Sequence, residues 1–234
     1  MRNLAKFNFL SPPPSQTLMR ALETLFFLGA LDAEGAITDL GKTLAEFPLE
    51  PQLGKCLLLA PQYGCVPEIL TIIAMLSVPS VFSRPAGRRR GMRETEGLRS
   101  FGEEDEVVAG GGEENWKMFA DPESDHISLM NMWETEGRMT GSFDAFRRVS
   151  ESERVLWCNA HCLNCRSLNS ALSVRGQLCG IVDRLHLPVV HNPMMSALER
   201  KRNIRRCLCA GFYMQSALFD RDGFYLTAKD NEVV

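Results

Sequence analysis

Proline placement constrains this chain more than any other feature of its sequence. Pro12-Pro13-Pro14 precede one apolar-periodic run, Pro48 and Pro51 bracket a turn, and Pro67 opens a further run that Val78-Pro79 closes. A proline ring lacks the N–H that an interior helical turn needs and clashes with the turn before it, yet its fixed φ suits a first turn. The first eighty residues are therefore cut into short segments. The periodicity between the cuts says what each segment forms.

Residues 15–28 carry Leu18, Ala21, Leu22, Leu25 and Leu28 at spacings of three and four, which predicts an amphipathic helix with Ser15 as its candidate cap. Ala30-Leu31-Asp32, a turn at Ala33-Glu34-Gly35, and Ala36-Ile37-Thr38 then read as a short β-hairpin. A second helix is expected at about 39–47, stopping before Pro48, and a third from Pro51 to near Gly64. Helix, small hairpin, helix, helix is the outline of a winged-helix module. From Pro67 to Ser77 a fourth helix is apolar nearly all round, through Ile69, Leu70, Ile72, Ile73 and Leu76, so it should be buried.

Residues 85–115 differ in kind. Arg84, Arg88, Arg89, Arg90 and Arg93 are followed by Glu103, Glu104, Asp105 and Glu106, then by Gly110-Gly111-Gly112. Separated blocks of opposite charge, rich in glycine and poor in aromatics, predict a disordered surface insertion, with an RNA-touching or targeting patch as the alternative for the arginines. Order is expected to return at Trp116. Ser124 or Asp125 could cap a helix carrying Ile127, Leu129, Met130 and Trp133, followed by a loop-like stretch at 137–150. Further helices are expected at 151–162, at about 166–187 (the longest, closing before Pro188) and at 196–210. Strand-like patterning begins at Tyr213, with a turn at Asp220-Arg221-Asp222-Gly223.

Composition narrows the function classes. With 234 residues and 45% hydrophobic content, a sizeable core is available. No apolar run approaches the ~18 residues of a membrane span, and the N-terminus shows no secretory signal. Eight cysteines without regular spacing point to reduced thiols in a cytosolic or nuclear compartment. A formal net charge of −3 gives no global nucleic-acid signature, so RNA binding would have to come from local basic positions.

Gly41-Lys42-Thr43 resembles the end of a phosphate-binding loop, but Gly35 stands one residue too far away and Ala36 sits where glycine is needed, so it reads as a helix start. Cys158, His161, Cys162 and Cys165 are the sharpest zinc candidate. Ligands on a single helix face cannot surround an ion tetrahedrally, and a half-buried face using cysteine as a small hydrophobe is the alternative. His126 and His186 have no visible catalytic partners, so no catalytic residues are assigned. Asn164-Cys165-Arg166-Ser167 opens the longest helix, where free N–H groups attract phosphate and Arg166 adds a fork-shaped donor. Arg200, Lys201, Arg202, Arg205 and Arg206 make the most basic helix, which is either a solvated face or an RNA contact.

Several segments together resemble the region downstream of the RecA-like domains in DEAH-box RNA helicases, in details closest to the splicing and ribosome-biogenesis members. The resemblance is carried by Phe7-Asn8-Phe9-Leu10-Ser11-Pro12-Pro13 with Leu18-Met19-Arg20-Ala21-Leu22, and by Leu40-Gly41-Lys42 with Phe47-Pro48-Leu49-Glu50-Pro51. It continues through Glu68 to Val78, Ser124-Asp125-His126-Ile127 with Asn131, and Trp157-Cys158. Leu163 to Leu168, Val174-Arg175-Gly176-Gln177-Leu178 and Ala210-Gly211-Phe212-Tyr213 complete it.

The resemblance implies a mainly α fold: a winged helix over about 1–65, a helical ratchet or helicase-associated domain over about 66–210, and the start of an OB-fold β-barrel over about 211–234. It implies single-stranded RNA as a partner, along with RecA-like motor domains and a G-patch protein received on the winged helix, no membrane, and a nuclear setting in the spliceosome or nucleolus, possible also in the cytoplasm. It places RNA contacts at Asn164, Arg166 and Ser167 of the ratchet helix and at Lys229 of the OB segment. It implies no metal and no cofactor in this chain, ATP and magnesium belonging to the motor. Here the sequence departs from the family: it shows no P-loop, no Asp-Glu-Ala-His motif and no arginine finger, so inactivity alone is expected. Pro61, Val66-Pro67, the longer insertion and the stop at Val234 also depart. The alternatives are a non-enzymatic interaction scaffold and a non-functional gene fragment or partial gene product.

Overall fold

A computed structural model describes residues 7–82, 118–140, 150–189, 194–221 and 223–234. The predicted insertion at 85–115 and most of the loop at 137–150 lie outside the described residues, as do Trp116 and Asp222.

Helix α1 (Ser15–Phe27) begins where expected, but Ser15 does not cap it. Pro14 is the capping residue, with extended backbone and no side-chain acceptor, and its carbonyl takes the Leu18 N–H at 3.1 Å. The hairpin that follows is reduced to one antiparallel bridge, Leu31 with Ile37. Asp32 holds its turn: Oδ1 accepts from the N–H groups of Glu34 (3.1 Å) and Ala36 (2.7 Å), while Gly35 supplies a φ of +76°. Helix α2 (Asp39–Leu44) is capped by Thr38, whose Oγ1 accepts from the Gly41 N–H at 3.0 Å. It ends at Leu44, short of the expected 47. Glu46 and Phe47 bond three residues back instead (both 3.2 Å), because the residue before Pro48 is sterically kept out of helical backbone.

Helix α3 (Pro51–Tyr63) starts on Pro51 and closes on Gly64 in left-handed conformation, as the sequence predicts. Pro61 is accommodated inside the last turn. Helix α4 (Val66–Leu76) is the buried helix expected: Val66, Ile69, Ile72, Ile73 and Ala74 are entirely inaccessible, and Leu76 alone of the predicted stripe is exposed. Helix α5 (Asp125–Thr140) is capped by Ser124, which accepts the Ile127 N–H at 3.4 Å, and it runs on through residues 137–140, read from sequence as loop. Helix α6 (Glu151–Ala160) and the 20-residue α7 (Cys165–Arg184) follow. Helix α7 stops three residues short of Leu187, because His186 adopts a left-handed φ of 51°. Helix α8 (Ala197–Phe212) is capped by Ser196. After a 3₁₀ turn at Tyr213–Gln215, β1 (Ala217–Phe219) pairs antiparallel with β2 (Tyr225–Thr227), in register Leu218 with Leu226, and a further bridge joins Leu226 to Val233.

The chain divides into two compact units. One comprises Met1–Ile73 with Arg175–Val234, the other Ala74–Val174. In the first, α3 and α8 form the most extensive helix pair. They meet at Gly211, where a side chain would run into Cys56 Sγ and the Gln52 carbonyl, and at three buried thiols. Cys207 Sγ donates to the Cys56 carbonyl (3.1 Å) and Cys56 Sγ to that of Leu208 (3.8 Å). Burial pushes the Cys56 thiol up to about 12, and Cys207 is raised further, first by its hydrogen bond with Cys65 and then by burial. These are small hydrophobes rather than reactive thiolates. The second unit is built around Phe119, Met132, Trp133, Cys158, Leu163, Leu168 and Ala171.

Candidate nucleic-acid interface

Three of the four residues singled out for RNA contact lie together at the start of α7, and the backbone there is fixed from both sides. The Asn164 N–H donates to the Val81 carbonyl (2.8 Å), beside an antiparallel bridge between Phe82 and Leu163. The Asn164 carbonyl takes the Leu168 N–H (3.0 Å), and its side-chain Oδ1 accepts from the N–H groups of Arg166 (3.1 Å) and Ser167 (3.2 Å). Asn164 is therefore the helix cap. The N–H groups expected to be free for phosphate at Arg166 and Ser167 are already bonded to it, so a bare helix terminus is not what this site offers.

Ser167 is buried, with 3% of its surface exposed, and faces the unit's interior. Arg166 is exposed, and it borders an open cleft of about 460 Å³ with Asn169, Ser170 and Ser173 of α7 and Glu151 and Val155 of α6. The α7 members recur every three or four residues, so they share one helix face. That polar stripe was readable from periodicity, whereas the contribution of α6 was not.

Helix α6 is held in place by a reciprocal cap absent from the sequence reading. Ser150 Oγ accepts the Glu153 N–H (3.3 Å), and Glu153 Oε2 accepts the Ser150 N–H (3.0 Å) and hydroxyl (2.8 Å). These bonds keep the Glu153 carboxyl below the usual range. Arg154 of α6 donates to Asn169 Oδ1 of α7 at 3.0 Å, tying the two walls of the cleft together.

The zinc candidates are distributed differently. Cys158 is buried in the core of the second unit. His161 stacks on Trp157 with ring centroids 4.5 Å apart, its Nδ1 lies 2.8 Å from the Trp157 carbonyl, and Cys162 has a left-handed φ of 56°. Among the described residues no three His, Cys, Asp or Glu side chains come together to hold a metal ion. Lys42, the pseudo-phosphate-loop lysine, pairs with Asp39 at 2.8 Å, and Gly41 is packed against the Ala30 carbonyl. Of the basic helix, Arg200 pairs with Glu68 at 3.6 Å, while Arg202 and Arg206 are exposed one turn apart.

Lys229 belongs to the other compact unit. It follows β2 and forms an ion pair with Glu23 Oε2 of α1 at 2.8 Å, with its ammonium 5.8 Å from the centre of the Phe27 ring. Nearby, the Tyr213 hydroxyl donates to the Phe27 carbonyl at 2.7 Å. No sequence signal links Glu23 with a lysine 206 positions away.

Comparison with known proteins gives a consistent result. Residues 21–49 match the winged-helix part of the helicase associated domain (HA2), and residues 50–129 match its ratchet-like part. Along its whole length the chain is 37% identical, over 235 aligned positions, to the pre-mRNA-splicing factor ATP-dependent RNA helicase prp22 of Schizosaccharomyces pombe. It spans 17% of that relative's length.

Proposed function

Because the chain belongs to the DEAH-box RNA helicases through the winged-helix and ratchet-like parts of their helicase-associated region, we propose that it guides single-stranded RNA for an ATP-driven motor. In this reading, ATP and magnesium are handled by RecA-like motor domains, and this chain supplies the track along which RNA is held. Its layout is a winged helix over about 1–65, a ratchet domain over about 66–210 and the opening strands of an OB-fold from about 211. The setting is nuclear, in pre-mRNA splicing.

The observation that carries the proposal is Arg166, exposed on the first turn of the 20-residue α7 and bordering an open cleft whose walls are joined by the Arg154–Asn169 hydrogen bond. A guanidinium at a rigid helix start can grip a phosphate with two parallel donors. Asn164 acts by fixing that start through its side-chain Oδ1, which caps the Arg166 and Ser167 N–H groups, and Ser167 acts from the interior. Lys229 contributes a second backbone contact from the C-terminal hairpin.

The test is fluorescence anisotropy of the full chain with labelled oligouridine between about 50 and about 200 mM KCl. Arg166→Ala should weaken binding about tenfold, the worth of one charge-assisted hydrogen bond, and flatten the salt dependence by about 0.7 in log–log slope. Equal affinity of Arg166→Ala and the parent chain would remove Arg166 from the reading. ATP hydrolysis by the purified chain would overturn the assignment of catalysis to other domains.

A second role is supported by α1, which has no buried residue and exposes Met19, Phe26 and Phe27. Such a face suits an apolar protein partner, and a G-patch activator docked on the winged helix fits it. Met19→Asp should weaken binding of a G-patch peptide in calorimetry while Arg166→Ala leaves it unchanged. The reverse pattern would exclude docking on α1.

A further inference from the structure

Lys229, the second basic residue assigned to RNA, already has an anionic partner. Its ammonium is 2.8 Å from Glu23 Oε2, and the two side chains are 32% and 44% exposed, so the pair sits where solvent and salt reach it. Surface pairs of this kind contribute little to stability, and their partners exchange readily. The hydrogen bond to Glu23 raises the lysine's basicity, so it stays charged at neutral pH.

The surroundings would otherwise suit a nucleotide. Arg20, one turn before Glu23 on α1, is close enough for its charge to oppose that of Lys229. The rings of Phe26, Phe27 and Tyr213 are each more than 40% exposed, and aromatic faces beside cations are what single strands stack on. Four charged groups surround the spot: Arg20 and Lys229 on one side of the balance, Glu23 and Asp230 on the other. With Glu23 neutralised, the aromatic patch gains a net positive charge. With Glu23 ionised, it is close to neutral.

We propose that Glu23 is a built-in competitor for Lys229, a carboxylate standing where an RNA phosphate would bind, so that single-stranded RNA gains this contact only by displacing it. The inference rests on the RNA-guiding reading and makes Glu23 a positioning residue that sets affinity at the C-terminal hairpin. A carboxylate about 6 Å from a bound phosphate in a water-like dielectric opposes it by about a factor of three, and screening reduces that at high salt.

The experiment uses the full chain and the same oligouridine. Glu23→Gln should bind about two- to fivefold tighter than the parent at about 50 mM KCl, with a log–log salt slope steeper by about 0.7. Adding Lys229→Met to Glu23→Gln should abolish the whole gain. A purely structural tie between α1 and the hairpin would leave RNA affinity unchanged or lower it, and that result overturns the inference, as does a gain that persists in the double variant. Glu23→Ala provides the same readout if the glutamine keeps a bond to the ammonium. If Arg166→Ala weakens binding while Glu23→Gln does nothing, the guiding role stands and the competitor role falls. If no variant, Glu23→Gln included, binds RNA, both fall.

Discussion

Two glycines on helices should respond to the same substitution with opposite sign, and the structure says why. Gly176 lies in the middle of α7, exposed, and apart from its chain neighbours and its own helix backbone no atom lies within 4 Å of where a Cβ would be placed. Alanine there adds no clash and restricts the unfolded chain, so Gly176→Ala should stabilise by about 0.5–1 kcal/mol. Gly41 lies in α2, and its added Cβ would overlap the Ala30 carbonyl oxygen and approach Ile37 Cγ1 at 2.9 Å. The Ala30 oxygen is backbone and cannot swing aside like a side-chain tip. It also accepts the Thr38 N–H (3.0 Å) and hydroxyl (3.2 Å), so moving it weakens the hairpin that α2 leans on. Overpacking of about 1–3 kcal/mol, with part of about 1 kcal/mol per lost hydrogen bond, exceeds the propensity gain of about 1 kcal/mol. Gly41→Ala should therefore be net destabilising by roughly 0.5–2.5 kcal/mol. Urea titrations followed by far-ultraviolet circular dichroism measure both variants against the parent. A stabilised Gly41→Ala, or a destabilised Gly176→Ala, would refute the claim that local space decides the sign.

Two further outcomes follow from burial. The His126 imidazole is held below its usual pKa of 6.5 by burial, with Asp125 opposing the shift. The folded state therefore prefers the neutral ring: this contribution to stability is complete above pH 6.5 and is lost as pH falls through the depressed folded value. His126→Gln should lose less stability than the parent between about pH 7.5 and about pH 5, and identical pH profiles would remove His126 as a source. Among the cysteines, Cys209 is exposed whereas Cys56, Cys65, Cys158 and Cys207 are buried. Alkylation of the native chain followed by peptide mass spectrometry should label Cys209 first and those four only after denaturation. Early labelling of Cys56 or Cys207 would contradict the α3–α8 packing.

Much of the fold was legible because local rules are decisive where proline, glycine and periodicity act. Pro51 and Gly64 bound α3 as read, and the all-round apolar character of α4 matched its burial. The misreadings come from competition between neighbours. Pro14, with its fixed φ, took the capping position from Ser15, and Pro48 unwound the end of α2. The Ser150 and Glu153 cap was written in the sequence at the right spacing and passed over. What could not be read is tertiary. Nothing local distinguishes the buried Ser167 from the exposed Arg166 beside it, nor predicts that Asn164 would occupy the N–H groups thought free for phosphate. The pairing of Lys229 with Glu23 depends on a fold that returns the chain's end to its first helix.

That return has a consequence for how the protein is made. The unit containing α3 is discontinuous, since the chain leaves it after Ile73 and re-enters at Arg175, and the thiol of Cys207 seals against the carbonyl of Cys56, 151 positions earlier. During translation at about 5–20 residues per second, α3 would wait roughly 8–30 s for α8 to be synthesised. Its inaccessible face, including Cys56, Leu57 and Ala60, is uncovered for that interval. The intervening unit, Ala74–Val174, is continuous and can close on itself while the first waits. Vectorial synthesis thus makes the inserted unit the earlier to mature, and leaves the discontinuous unit as the part of the nascent chain most in need of a chaperone.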